Sequence, residues 1–158
     1  MKKALLFFLI LSLPLFANAQ GNGSISFQEL DSLQAIDAKP TIVFLYTDWC
    51  RYCKGMEKSV FSDSKVKEEM ESGFYFVRFD GESEVEIQFR GVSFGYKPSG
   101  RNEGVHKLAQ LLGSTGGTLS FPTIVVLNKK LEVIYVKDGF MTKPEFLKLL
   151  SLVGANEK

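Results

Sequence analysis

An α/β fold, a central mixed β-sheet flanked by helices on both faces, is what the 158-residue sequence predicts. Three observations carry that reading. Thr41 to Tyr46 and Phe74 to Phe79 are apolar, β-branched and aromatic runs without polar alternation, as strands buried on both faces require. A helical pattern joins them, which makes a βαβ unit of right-handed crossover. Two further strands close together near the end then suit an antiparallel pair, followed by a last amphipathic helix. The predicted order is α-β-α-β, an insert with a short helix, then β-β-α.

The first residues stand apart from that domain. Lys2 and Lys3 give a basic start, Leu5 to Phe16 run almost wholly apolar, and Ala17-Asn18-Ala19 offers small residues at a cut. Such a layout predicts a secretory signal peptide at 1–19 and a mature chain from Gln20, with residues 20–158 as one domain. The apolar stretch is shorter than the roughly 20 residues that span a bilayer. No cysteine lies near the cut to take a lipid. Export implies a periplasmic or secreted protein, where paired cysteines are ordinarily disulfides. Losing Lys2 and Lys3 takes the 19 basic residues to 17, against 18 acidic. A near-neutral surface gives no ground for nucleic acid or an anionic membrane as partner.

Gly21-Asn22-Gly23-Ser24 reads as a flexible leader. Ser26 and Glu29 have capping-box spacing, and Phe27, Leu30 and Leu33 continue at helical intervals. The helix must end before Lys39-Pro40, because the residue before proline avoids helical angles. After the first strand, Cys50, Cys53, Met56, Glu57, Val60 and Phe61 share a helical pattern. Ser62-Asp63-Ser64 interrupts it and can cap a second piece running through Met70 to Gly73.

Residues 81–118 form the insert. Val85, Ile87 and Phe89, then Val92, Phe94 and Tyr96, alternate with polar residues around Arg90-Gly91, which predicts a hairpin. Lys97-Pro98-Ser99-Gly100 reads as a turn. Val105, Leu108, Ala109, Leu111 and Leu112 give a short amphipathic helix, and Gly113 to Thr118 a loop. Phe89, Phe94 and Tyr96 suit the covering of a sheet edge, with a partner surface as the alternative. Thr123 to Leu127 and Leu131 to Val136 are the closing strands. Thr142 and Glu145 repeat the capping-box spacing before Phe146, Leu149, Leu150 and Val153.

Both cysteines and the only tryptophan fall in Thr47-Asp48-Trp49-Cys50-Arg51-Tyr52-Cys53-Lys54. Cys50 and Cys53, three apart at a helix start, lie on one face and can bond. A disulfide closing so short a loop contributes little stability, so a structural role explains the spacing poorly. The helix N-terminus offers Cys50 free backbone N–H groups and a positive dipole end, which favour the reactive thiolate. Arg51 acts in the same direction. Cys53, one turn deeper, is the less exposed resolving thiol. Zinc is the rival reading, but a structural zinc takes four ligands, and the chain has two cysteines and one histidine, His106. His106, lone and near a helix start, reads as an ordinary surface residue. No metal and no cofactor are implied.

Trp49-Cys50-Arg51-Tyr52-Cys53-Lys54 after a buried strand, with Phe121-Pro122-Thr123 opening a later strand pair, resembles the thioredoxin family. The closer likeness is to the C-terminal periplasmic domain of DsbD-type thiol-reductant transporters, through Asp48, Glu57, Val60-Phe61-Ser62-Asp63 and Gly139-Phe140-Met141. The resemblance implies a thioredoxin-like fold with Cys50 as attacking nucleophile and Cys53 resolving the mixed disulfide. It implies a cis Pro122 before Thr123, and backbone around it that pairs with an extended substrate strand. Gly139 would then let the partner backbone approach, and Trp49, Tyr52 and Phe121 would form an apolar rim. For those aromatics ordinary packing remains the alternative.

Two positions depart from the family. Thioredoxins carry a buried acid six residues before the first cysteine, where this chain has Phe44. Glu57, one turn past Cys53, becomes the candidate proton acceptor, with a solvated helix glutamate as the alternative. The insert at 81–118 is the second departure. The resemblance implies an exported thiol–disulfide oxidoreductase, acting as a reductase. A disulfide oxidase or isomerase and a non-enzymatic adaptor are the alternatives. Its partners would be disulfide-containing proteins and an external thiol donor such as a membrane electron transporter, and the chain would act as a monomer.

Overall fold

The computed structural model describes residues 23–100 and 103–156, so the expected signal peptide at 1–19 lies outside the described residues. Helix α1 (Phe27–Ile36) starts at the capping box read from the sequence: Glu29 N–H donates to the Ser26 hydroxyl, and Ser26 N–H to the Glu29 carboxylate. It stops at Asp37, ahead of Lys39-Pro40.

Strand β1 (Thr41–Tyr46) runs parallel to β2 (Tyr75–Asp80) and antiparallel to β7 (Thr123–Leu127), which pairs antiparallel with β8 (Val133–Asp138). The four make a mixed sheet of order β2-β1-β7-β8. Thr41 to Leu45 are buried, as the unbroken apolar run requires. Alternation then divides the core. Ile42 and Phe44 face one apolar cluster and Val43 and Leu45 the other.

On the first face pack α2 (Arg51–Met56), a π-helical turn (Glu57–Phe61), α3 (Ser64–Gly73) and α5 (Lys143–Asn156). Asp63 caps α3 by accepting the Lys65 and Val66 N–H groups. Phe146, Leu149, Leu150 and Val153 of α5 are buried against this face. On the second face lie α1, α4 (Lys107–Gly113) and a hairpin of β3 (Ile87–Phe89) and β4 (Val92–Phe94). The hairpin turns on Arg90 (φ 53°) and Gly91 (φ 74°), the left-handed pair a two-residue turn needs.

The insert departs from the sequence reading in three places. Lys97-Pro98-Ser99-Gly100 is not a turn: with Tyr96 it forms β5 (Tyr96–Gly100), paired with β6 (Glu103–His106). Its side chains from Lys97 on are exposed, so no apolar alternation marks the strand, and an irregular register near Pro98 tolerates the missing N–H. The helix expected from Val105 begins at Lys107, because Val105 belongs to β6. His106 is no surface residue. It is fully buried, and its Nδ1 caps α4 by accepting the Leu108 N–H. Phe89 enters the core against Phe27, with ring centroids 5.0 Å apart. The last strand also starts later than expected, at Val133. Asn128 Oδ1 accepts the Lys130 and Glu132 N–H groups and holds Leu131 in the turn at φ 60°.

Candidate active site

Strand register collects the chemistry-bearing segments. Leu45 pairs with Thr123, so the chain leaving β1 towards Cys50 and the chain entering β7 through Phe121-Pro122 lie at one end of the sheet. Thr123 pairs with Asp138, which brings Gly139 there, and Tyr46 pairs with Asp80, which brings Gly81 and Glu82. Four segments far apart in sequence thus share one edge.

Cys50 and Cys53 are disulfide-bonded, with Cα atoms 5.2 Å apart. Cys50 is the N-cap of α2, and its sulfur accepts the Cys53 N–H at 3.0 Å. That N–H is one of the donors a helix start leaves free, and it would stabilise negative charge on the sulfur after reduction. The expected contrast between an exposed Cys50 and a buried Cys53 is absent. They are 2% and 1% exposed, both within the apolar cluster of Phe44, Met56 and Val60. Capping is the cause: the Cys50 sulfur turns inward over the helix end to meet Cys53.

Around the pair the side chains divide. Trp49 and Tyr52 are 65% and 70% exposed, while Phe121 is half-buried and packs against both clusters. The Trp49 and Phe121 rings meet edge-to-face at 6.5 Å. The Phe121–Pro122 peptide is cis, Pro122 is buried, and its carbonyl accepts the Gly139 N–H at 2.8 Å. Gly139 has φ 81°, a left-handed conformation open to glycine. Thr123 is fully buried and donates its hydroxyl to the Ser120 carbonyl, so its side chain faces away from solvent.

Two rim residues escaped the sequence reading. Phe140 is 40% exposed, and its ring lies 3.4 Å from where a Cβ on Gly55 of α2 would stand. Only its place after Gly139 hinted at this. Glu82 accepts the Trp49 indole N–H at 2.9 Å, a contact between residues 33 apart that no local pattern signals.

Phe44 is fully buried, edge-on to Phe61 at 4.8 Å and stacked with Tyr46 at 5.9 Å. The interior behind the dithiol is therefore apolar at the position considered for an acid. Glu57 stands on the π-helical turn, about one-third exposed and ion-paired with Arg78. The Arg78 guanidinium also lies 4.3 Å over the Tyr46 ring. Burial raises the Tyr46 phenol above its ordinary value, and the Arg78 charge opposes that shift. The Ser62 hydroxyl takes up the Glu57 carbonyl that the wide turn leaves free.

Among the described residues no group of three or more His, Cys, Asp or Glu side chains could hold a metal ion. Both ring nitrogens of His106 are engaged, Nε2 with the Val85 carbonyl and Nδ1 with the Leu108 N–H. A cavity of about 840 Å³ opens between Pro40, Phe74 and Leu150, at the other end of β1 from the cysteines, and carries no group suited to redox chemistry.

Comparison with known proteins agrees with this geometry. A family described as thioredoxin-like domain matches residues 27–154. The thiol:disulfide interchange protein DsbD of Yersinia pestis is 44% identical over 62 residues, 34% of this chain and 10% of that protein. This chain thus spans about one-tenth of that curated relative's length. A thioredoxin from Thermus thermophilus has TM-score 0.59 at 21% identity, covering 84% of this chain and 86% of that one. The C-terminal domain of Neisseria meningitidis DsbD, in its reduced form, has TM-score 0.53 at 16% identity, covering 80% and 91%. With the family matched from α1 to α5 around a Cys-x-x-Cys helix start, the chain belongs to the thioredoxin-like domain family.

Proposed function

We propose that the chain is an exported thiol–disulfide oxidoreductase that reduces protein disulfides through Cys50 and Cys53. The observation that carries this is the Cys50 sulfur, bonded to Cys53 and receiving its N–H at the helix start. In the reduced protein the Cys50 thiolate attacks one sulfur of a partner disulfide, and the partner's other sulfur leaves as a thiolate and is protonated. Cys53 then loses its proton and attacks Cys50, releasing the partner's second thiol. Two electrons pass to the partner and the Cys50–Cys53 bond forms again. The chain has no third cysteine, so an external thiol donor such as a membrane electron transporter resets it. Because Cys50 is buried in the disulfide form, that donor approaches through the rim of Trp49, Tyr52, Phe121 and Phe140.

Backbone around Pro122 pairs with an extended partner strand, Gly139 lets that strand approach, and Thr123 holds the turn. Glu57 accepts the Cys53 proton, its carboxylate first parting from Arg78 or relaying through water. The leader-like residues 1–19 support export to a periplasmic or extracellular space. The action is that of a monomer without a cofactor.

The reduction potential of the pair tests the direction. A value near about −270 mV supports a reductase, and one near about −120 mV an oxidase of the DsbA kind. Cys53→Ser should hold partners as mixed disulfides on Cys50. Recovering none from thiol-trapped extracts of the exported fraction would leave an adaptor role instead.

A further inference from the structure

We propose that Glu82 is a positioning residue for the exchange site: it fixes Trp49 against Phe121, and through it the insert sets which disulfides reach Cys50. This rests on the oxidoreductase reading and extends it to selectivity.

Trp49 is 65% exposed, yet both ends of its indole are held. Its N–H reaches Glu82 Oε2 at 2.9 Å and its ring meets Phe121 edge-to-face. A hydrogen bond so near solvent adds little to stability, so its consequence is orientation. Glu82 is itself fixed. Its backbone N–H donates to Asp80 Oδ1 at 3.0 Å, and Ser83 N–H to the Asp80 carbonyl at 3.1 Å, a tight turn directly after β2.

Gly81 lies between them and is the second anchor. It donates its N–H to the Tyr46 carbonyl at 2.8 Å and accepts the His106 N–H at 2.7 Å. A Cβ on Gly81 would stand 2.3 Å from two carbons of the Phe121 ring, so the aromatic beside Pro122 rests on bare backbone. Residues 80–82 thereby hold Trp49 and Phe121, two of the rim aromatics, and His106 ties the same segment to β6. The insert is built into the wall of the exchange groove. An extended polypeptide lying along Pro122 must pass Trp49 in this fixed pose, whereas a small disulfide need not.

The test compares wild type, Glu82→Leu and Glu82→Gln, the last keeping an acceptor for the indole. Each protein is pre-reduced, and its single-turnover oxidation, two electrons per chain, is followed against the concentration of insulin and of 5,5′-dithiobis(2-nitrobenzoate). Glu82→Leu should raise the half-saturating insulin concentration about fivefold, with the limiting rate moving less than about twofold, as loss of one orienting hydrogen bond implies. The small disulfide should be less affected than insulin, and Glu82→Gln should restore the wild-type ratio. Acrylamide quenching of Trp49, the only tryptophan, should rise in Glu82→Leu and return in Glu82→Gln. Equal losses on both substrates, Glu82→Gln behaving like Glu82→Leu, or no change in either variant would overturn the proposal. A wild type inert on both disulfides would sink the oxidoreductase reading instead, and the quenching series would still report the Trp49 contact.

Discussion

The two faces of the sheet bury polar groups on opposite terms. Behind the dithiol, Phe44 occupies the centre and the ion pair of Glu57 with Arg78 stays at the boundary, each about one-third exposed. Behind the insert, a titratable side chain is fully buried: His106 lies edge-on to Phe79 at 4.9 Å, its ring nitrogens satisfied by backbone. The difference separates two tasks. The cysteine pair lies against an apolar wall with its nearest ion pair at the edge, while the proton-sensitive group on the other face bears on the insert and its stability.

The sharpest way to break that contrast is to remove the wall. Phe44→Ala should destabilise by about 3–5 kcal/mol, the ordinary cost of deleting a buried phenylalanine. Phe44→Asp should lose more at pH 7, because a carboxylate would be buried without a partner. Burial raises that carboxyl's folded value above its unfolded one, so its contribution to stability is best at low pH and is lost as pH rises. The two variants should therefore converge in denaturant midpoint towards pH 4. An Asp variant no worse than Ala at pH 7 would mean the cluster is wetter than its burial implies.

Next in size is the boundary pair. If Glu57 takes the Cys53 proton, Glu57→Gln should slow resolution of a Cys50 mixed disulfide by at least about tenfold. Arg78→Gln frees the carboxylate and should not slow it. Stopped-flow resolution across pH 5 to 9 measures both, and unchanged kinetics in Glu57→Gln would remove that residue from the mechanism.

On the other face the effect is on stability. Burial holds the His106 imidazole below its ordinary value, although the Val85 and Phe94 carbonyls favour the charged ring. Tyr96, paired opposite His106 in the β5–β6 ladder, has its phenol raised by burial first and then by Glu84, Glu82 and Glu103. The sign follows from proton counts: below about pH 6.5 the unfolded chain binds the proton more readily than the folded one. His106 thus contributes stability that is present above that pH and is lost as pH falls. The slope attributable to it is at most about 1.4 kcal/mol per pH unit. His106→Leu should flatten the fall in stability between pH 6.5 and 5, at some cost at pH 8, where the Val85 and Leu108 backbone groups lose partners.

What was legible in the chain follows the same division. Unbroken runs such as Thr41–Tyr46 declare buried strands, because burial on both faces leaves no room for polar alternation. The Cys-x-x-Cys helix start and the Arg90-Gly91 turn are local in the same sense. β5 was illegible because its exposed side chains look like a turn, and what holds it is pairing with β6 and the Tyr96 ring lying over Gly104. The burial of His106 depends on the Gly81 and Val85 carbonyls, which meet it only when β2 and the insert come together. Cys50 misled for another reason. The motif specifies a helix N-terminus, and the inward turn of the capping sulfur that buries it depends on the packing around it.

The smallest expected effect separates a local device from these tertiary ones. Ser26 and Glu29 cap α1 on the insert face, and hydrogen bonds from the Ser26 backbone and then its hydroxyl hold the Glu29 carboxyl below its ordinary value. Ser26→Ala removes the acceptor for the Glu29 N–H and should cost about 1 kcal/mol at pH 7. Glu29 retains its backbone donor, so only part of the box is lost. A depressed carboxyl contributes stability above its unfolded value and loses it as pH falls. The gap between Ser26→Ala and wild type should therefore narrow below about pH 4, the range in which carboxylates protonate. The His106 contribution is lost in a higher window, below about pH 6.5. Chemical denaturation of both variants across pH 3 to 8 resolves the two. Should Ser26→Ala instead track the His106 window, α1 would be coupled to the insert through Asp31, which accepts the Arg90 N–H at 2.9 Å, and the cap would not be a local device.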